Sequence, residues 1–229
     1  MTRLHVEGTL ATGEVLSLAD EQVHYLRNVL RYAVGDSIKL FNQDYGEFIA
    51  TLCTLTKSKI DVLIGEQLRV PEIEKQLILL FCPIKNDALH YLIEKCTEVG
   101  VTEFQPVMMQ YGNIHKINQE KLQRIATDAA QQCERLTVPI IKPLQRLEQI
   151  LSTWDHRQKL YVCFERMSVS SMQNFVNGSA VLIGPEGGLH PSEVDLLQQQ
   201  PFVVPTSLGT TILRAETAAV VASALLLSR

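Results

Sequence analysis

The chain has 229 residues, 46% hydrophobic and 20% charged, with a formal net charge of −4. This excludes a disordered or fibrous protein, and the acidic total gives no long-range attraction for nucleic acid. The first 70 residues hold 7 Lys+Arg against 9 Asp+Glu, so an RNA partner would have to be met by local basic clusters.

Residues 1–70 read as β-rich. SIKLFNQDYGEFIATLCTL gives two β-type runs joined by a polar segment, the pattern of a hairpin, and KIDVLIGEQL supplies another strand. Ahead of them, between residues 20 and 32, DEQVHYLRNVLRY spaces Val23, Leu26, Val29 and Leu30 for one face of a short amphipathic helix. Arg27 and Arg31 then fall four apart on its polar side. Pro71 and the charged residues after it mark a linker.

From residue 76 the pattern changes. QLILLFCPI is continuously apolar, as in a strand covered on both faces of a parallel sheet. A helix, KNDALHYLIEKCTEVG, should end at Gly100. The strand TEFQPVM and the helix NQEKLQRIATDAAQQCERL follow it. Strands are then expected at KLYVCFE, SAVLIGP and FVVPTSL, and helices at PSEVDLLQQ and ETAAVVASALLLS. This alternation predicts an α/β domain with a mainly parallel sheet.

The longest apolar run, AAVVASALLL, is shorter than the roughly 18 residues of a membrane span. The first residues lack the apolar segment of a secretory signal. Five scattered cysteines without a CxxC pair point to free thiols in a reducing cytoplasm and to no structural metal site.

Chemistry concentrates in two stretches. LIGPEGGL (182–189) places Gly184, Gly187 and Gly188 at the end of a buried strand, where the backbone could approach a ligand and adopt positive φ. Pro191 suits the first position of the next helix, and Glu193 lies three residues after His190, as in a capping box. On its own this could be a tight strand-to-helix connection, since neither GxGxxG nor GKS/GKT is present. SLGTTILRAETAAVV (207–221) repeats the arrangement around Gly209. Two such loops at successive strand ends could clasp one small ligand, because open α/β sheets bind ligands at the carboxyl ends of their strands.

IGPEGGL followed by LGTTILRAETA resembles the RsmE family of 16S ribosomal RNA uridine N3-methyltransferases, within the SPOUT superfamily. HYLRNVLR at 24–31, KND at 85–87, EKCTEVGV at 94–101 and AAQQCER followed by Pro139 match family positions in the same order. The resemblance implies a PUA-like β-barrel over residues 1–70 that helps hold RNA. It implies a SPOUT methyltransferase domain over 71–229 whose C-terminal segment threads a deep trefoil knot. The implied cofactor is S-adenosylmethionine, bound in a bent form, and the implied partner is 16S rRNA or the small ribosomal subunit. The family usually reads LGPRILRTETA, so Thr210 and Thr211 replace a proline and an arginine here.

The cofactor slot is then expected to use Leu182, Ile183, Gly184, Glu186, Gly187, Gly188, Leu208, Gly209, Ile212 and Leu213. The leucines and isoleucines suit an adenine ring beside bare backbone, while Glu186 either faces the cofactor's polar groups or is a solvated turn residue. N3 of uracil carries a proton and is a poor nucleophile. Alignment with the sulfonium methyl and a fixed positive charge near a uracil carbonyl would therefore both help. Arg214 is the candidate for that charge; it cannot be the base. No residue stands out as the base. Arg27, Arg31, Lys85 and Arg135 are candidate RNA contacts. The nearly all-apolar last helix suggests burial against a second subunit, hence a homodimer. Two alternatives stay open: a SPOUT methyltransferase acting on another RNA, and a non-catalytic RNA-binding ribosome-assembly module.

Overall fold

The computed structural model describes residues 1–164 and 179–227. They form two units, Met1–Ile73 with Ala130–Val138, and Glu74–Ala129 with Pro139–Arg229.

In the first unit, β1 (Arg3–His5), β2 (Val15–Ser17), β3 (Ser37–Asn42), β4 (Gly46–Leu55) and β5 (Ile60–Arg69) form one sheet in the order β1-β3-β4-β5-β2. Only the β1–β3 pair is parallel. Period-2 alternation buries Ile38, Leu40, Phe48, Ala50, Leu52, Ile60, Val62 and Ile64 in its core. Asn42 closes the β3–β4 hairpin by accepting the Tyr45 N–H at 2.9 Å. Gly46 is required after it, because φ is +86° and a Cβ there would lie 2.1 Å from the Arg69 carbonyl oxygen.

The predicted first helix is only partly helical in the usual sense. α1 (Asp20–His24) widens into a π-helical turn over Tyr25–Val29, and Leu30 N–H reaches back to the Tyr25 carbonyl at 3.1 Å. The wider turn breaks the 3.6-residue phase. Val23 and Leu26 are buried as expected, but Val29 and Leu30 are 58% and 38% exposed. Arg31 lies beyond the helix with φ +60°, so Arg27 and Arg31 do not share one helical face.

Residues 130–138 are tied to this unit by a buried arginine. Arg3 pairs with Glu47 and donates to the carbonyls of Ala130 (2.9 Å) and Arg135. Its guanidinium lies 3.4 Å from the centre of the Phe41 ring. Lys39 also reaches Glu47, at 3.1 Å. Burial alone would raise the Glu47 carboxyl, but hydrogen bonds from Arg3 and Lys39 outweigh it and hold the carboxyl below its ordinary value.

The second unit carries β6 (Leu77–Phe81), β7 (Glu103–Met108), β8 (Ile140–Ile141), β9 (Gln145–Arg146), β10 (Leu160–Cys163), β11 (Ser179–Ile183) and β12 (Val203–Thr206). Its strand order is β12-β10-β11-β6-β7-β8, with β9 on β7, and every pairing is parallel. Helices α2 (Asn86–Val99), α3 (Gln119–Gln132), α4 (Leu147–Ser152), α5 (Pro191–Gln198) and α6 (Ala215–Leu227) complete the mixed α/β architecture.

The apolar run of β6 feeds two cores. Leu77, Leu79 and Phe81 face one that holds Leu92, Ile93 and Cys96 of α2 and Ala219, Ala222 and Leu226 of α6. Leu80 faces the other, with Leu147 and Leu151 of α4, Leu197 of α5 and Phe202. Gly100, at φ +118°, ends α2 and accepts no larger residue without meeting Leu227. The alanine-rich side of α6 is thus buried within its own unit, while Leu225 is 36% exposed. No helix among the described residues is long and apolar enough to cross a membrane.

Candidate functional site

Because the strands are parallel, the carboxyl ends of β6, β7, β10, β11 and β12 open on one sheet edge. The loop after β11 is held tightly. Cys82, just past β6, donates its N–H to the Ile183 carbonyl at 3.2 Å. Pro185 is buried, and Gly188, at φ +77°, closes a turn onto the Pro185 carbonyl at 2.9 Å. Gly184 and Gly187 are not in the left-handed region, so close approach is what they provide. A Cβ on Gly184 would sit 2.9 Å from Leu189 Cδ2.

Both halves of the capping box at the start of α5 form. His190 Nδ1 accepts the Ser192 N–H at 3.2 Å, and Glu193 accepts the His190 N–H at 3.0 Å. Glu193 is 3% exposed, and its other oxygen accepts the Gln110 N–H at 2.9 Å. The Gln110 side chain donates to Ser192 Oγ at 3.0 Å. One buried carboxylate therefore fastens the segment after β7 to the end of the glycine loop.

The loop after β12 is built differently. Ser207 Oγ accepts the Gly209 N–H at 3.2 Å, Gly209 has φ +128°, and a Cβ there would meet nothing within 4 Å. Thr210, Thr211 and Ile212 are exposed, Ile212 to 65%, while Leu208 and Leu213 rest half-buried on the α2–α6 core. Arg214 is exposed, and its carbonyl accepts the Ala218 N–H at 2.8 Å at the start of α6.

Two strands over from one another, β11 and β12 flank β10. Burial pushes the Cys82 thiol up to about 11 and the Cys163 thiol up to about 12. Both thiols at this edge are therefore neutral at physiological pH, which makes them poor nucleophiles.

The predicted residues separate by position. Leu182 and Ile183 are buried in opposite cores, so only their backbone reaches the edge. Glu186 and Gly187 are exposed, Gly184 and Gly188 half-buried, and with Leu208, Gly209, Ile212, Leu213 and Arg214 they lie in the two loops. The candidate RNA contacts are divided between the units. Lys85 is exposed at the start of α2. In the first unit, Arg27 donates to the Lys57 carbonyl at 3.3 Å, Arg31 is exposed, and Arg135 donates to Thr137 Oγ1 at 3.0 Å. Sequence reasoning missed Gln110 and Tyr111. They follow β7 but touch α5 and the glycine loop, about 80 residues later in the chain.

The two loops present bare backbone and apolar side chains at this edge: the backbone is exposed at 186–187 and 209–212, and Leu208 and Leu213 provide an apolar side. Among the described residues, Thr206 Oγ1 and Glu216 Oε2 are buried without a hydrogen-bond partner, at the end of β12 and in the first turn of α6. Buried polar atoms left unpaired in this way are costly unless a bound group or water completes them.

Residues 71–227 match the family described as RNA methyltransferase domain, and residues 18–65 match RNA methyltransferase PUA domain. The ribosomal RNA small subunit methyltransferase E of Rickettsia conorii is 34% identical over 228 residues, covering 97% of this chain and 93% of that protein. The protein of the same name from Bacillus subtilis is 31% identical, covering 95% and 93%. Among solved structures, the ribosomal RNA small subunit methyltransferase E of Neisseria gonorrhoeae bound to S-adenosyl methionine superimposes with a TM-score of 0.89 at 27% identity. That match covers 100% of this chain and 97% of the other. A Legionella pneumophila protein solved with bound SAM gives the same TM-score and identity, covering 99% and 97%.

Proposed function

The chain belongs to the ribosomal RNA small subunit methyltransferase E family, and from that premise we propose that it uses S-adenosylmethionine to methylate N3 of a uridine in 16S ribosomal RNA. The observation that supports this most is the pair of strand-end loops either side of β10, with exposed backbone and unpaired Thr206 and Glu216 oxygens at their base.

In this reading Gly184, Glu186, Gly187 and Gly188 form one wall of the cofactor slot, together with the backbone of Leu182 and Ile183. Leu208, Gly209, Ile212 and Leu213 form the other. The cofactor supplies an electrophilic methyl on a sulfonium sulfur. The two walls exclude water and fix the approach line, and alignment of this kind lowers the barrier by several kcal/mol. Arg214 holds a positive charge beside a uracil carbonyl and stabilises the uracilate that develops as N3 loses its proton. Being always charged, Arg214 does not take that proton.

The proposal extends to the architecture. Residues 1–70 act as a PUA-like β-barrel RNA-binding domain with Arg27 and Arg31 toward RNA, and Arg135, in the 130–138 segment that belongs to the same unit, joins them. Residues 71–229 act as a SPOUT domain with Lys85 toward RNA and its C-terminal segment threaded as a trefoil knot. The enzyme works as a cytoplasmic homodimer and uses no metal.

The test is methyl transfer from labelled S-adenosylmethionine to unmodified small ribosomal subunits and to naked rRNA, with the product nucleoside identified. Label in 3-methyluridine is the expected result; label in another nucleoside, or none, would overturn it. Arg214→Ala should lower kcat by about 10²-fold, the scale seen for loss of one oxyanion donor, with S-adenosylhomocysteine affinity unchanged. Gly187→Leu should fold, because a Cβ at Gly187 meets only Tyr111 carbons at 3.5–3.9 Å, and should lose cofactor binding, because its side chain would cover backbone that is now exposed.

A further inference from the structure

Tyr111 is 48% exposed and belongs to none of the three core clusters of the described residues, yet it is fixed on several sides. It sits in a turn closed by the Gly112 N–H on the Met109 carbonyl at 3.0 Å. That turn is packed so closely that a Cβ on Gly112 would lie 2.5 Å from Cys82 Sγ and 3.1 Å from the Met109 carbonyl oxygen. The preceding residue, Gln110, is anchored by the buried Glu193 and by Ser192 Oγ. The Tyr111 ring stands edge-on to His190, with centroids 5.2 Å apart and planes at 70°. Its Cβ, Cγ and Cδ2 lie 3.5–3.9 Å from where a Gly187 Cβ would be.

Strand order then gives the ring a side. The cofactor walls come from β11 and β12, whereas Tyr111 stands at the β7 side of the glycine loop, across β6. An aromatic that the core does not need is thus held beside the cofactor loop on the flank away from the second wall. Single-stranded RNA bases are commonly held by stacking on such rings. We propose that Tyr111 is the platform on which the target pyrimidine stacks during methyl transfer, an inference that rests on the methyltransferase reading above. Stacking supplies binding strength to the base and leaves the choice of reacting atom to the charge and approach line.

The experiment uses the full chain loaded with S-adenosylhomocysteine. It compares binding of a small-subunit rRNA fragment carrying the methylated position as uridine with one abasic there. Tyr111→Phe keeps the π-face and should match wild type in both. Tyr111→Ala should lose about tenfold or more of its affinity for the uridine RNA, the scale of one base stack. It should also become indifferent to removal of the base, with S-adenosylhomocysteine affinity within about twofold of wild type. In turnover, KM for RNA should rise. Equal uridine-over-abasic preference in Tyr111→Ala and wild type would overturn the proposal. So would a parallel loss of cofactor affinity, which would make the residue a support of the loop. Absence of methyl transfer by the wild-type enzyme would instead sink the methyltransferase reading, so that measurement precedes the variants.

Discussion

The two glycine loops look alike as sequence and differ in construction. The loop after β11 is clamped: Pro185 is buried, Gly188 is bonded back to it, and Glu193 binds both His190 and Gln110. The loop after β12 is open. Gly209 has free space where a side chain would be, and Thr210, Thr211 and Ile212 are exposed. In the first loop Gly184 permits close approach and Gly188 a left-handed turn, whereas in the second Gly209 serves backbone conformation alone. In the proposed cofactor slot, the first wall would be held in place before binding and the second would be the one left open.

The largest effect should come from breaking the clamp. Glu193→Ala leaves two part-buried backbone N–H groups without their acceptor, at about 1–2 kcal/mol each. Denaturant unfolding should register a loss of about 2–4 kcal/mol, with cofactor affinity falling alongside. Glu193→Gln keeps an acceptor and should recover part of both. If Glu193→Ala unfolds like wild type, the clamp is not what stiffens the first loop.

Gly209→Val should come next. A β-branched residue at φ +128° is strained by about 1–3 kcal/mol although nothing blocks its side chain. The expected result is roughly tenfold weaker S-adenosylhomocysteine binding by calorimetry, with the secondary structure retained in circular dichroism. Wild-type affinity would show that this loop does not need its left-handed backbone to bind.

The smallest effect should follow Thr211→Arg, which restores the residue usual in the resembled family at an exposed position. Stability should change by less than about 0.5 kcal/mol. One added phosphate contact should tighten RNA binding at low salt and steepen its salt dependence by about one unit in the log–log slope. An unchanged slope would place Thr211 away from the RNA backbone.

Much of this architecture is legible because its signals are local. The unbroken apolar run of β6 reports coverage on both faces, and Gly100 announces the end of α2. What escaped detection is short or non-local. β1, β2 and β9 have three, three and two residues, too few for alternation to register, and α4 has six. The π-helical turn defeats a 3.6-residue reading from Tyr25 onward, which is why Val29 and Leu30 lie exposed although that spacing puts them inside. At the site, the glycines and the His190–Glu193 box are readable from spacing. The second bond of Glu193, to Gln110, spans 83 residues and depends on β7 and β11 lying on either side of β6. The Arg3–Glu47 pair is hidden for the same reason, its meaning set by carbonyls at 130 and 135.

The central claim is that these two unlike loops close on one cofactor. Amide hydrogen exchange over residues 184–190 and 207–213, with and without S-adenosylhomocysteine, tests it directly. Both segments should slow on binding, the 207–213 segment by the larger factor because it is the less protected at the start. Slowing confined to one loop, or absent from both while the ligand is bound, would contradict the claim.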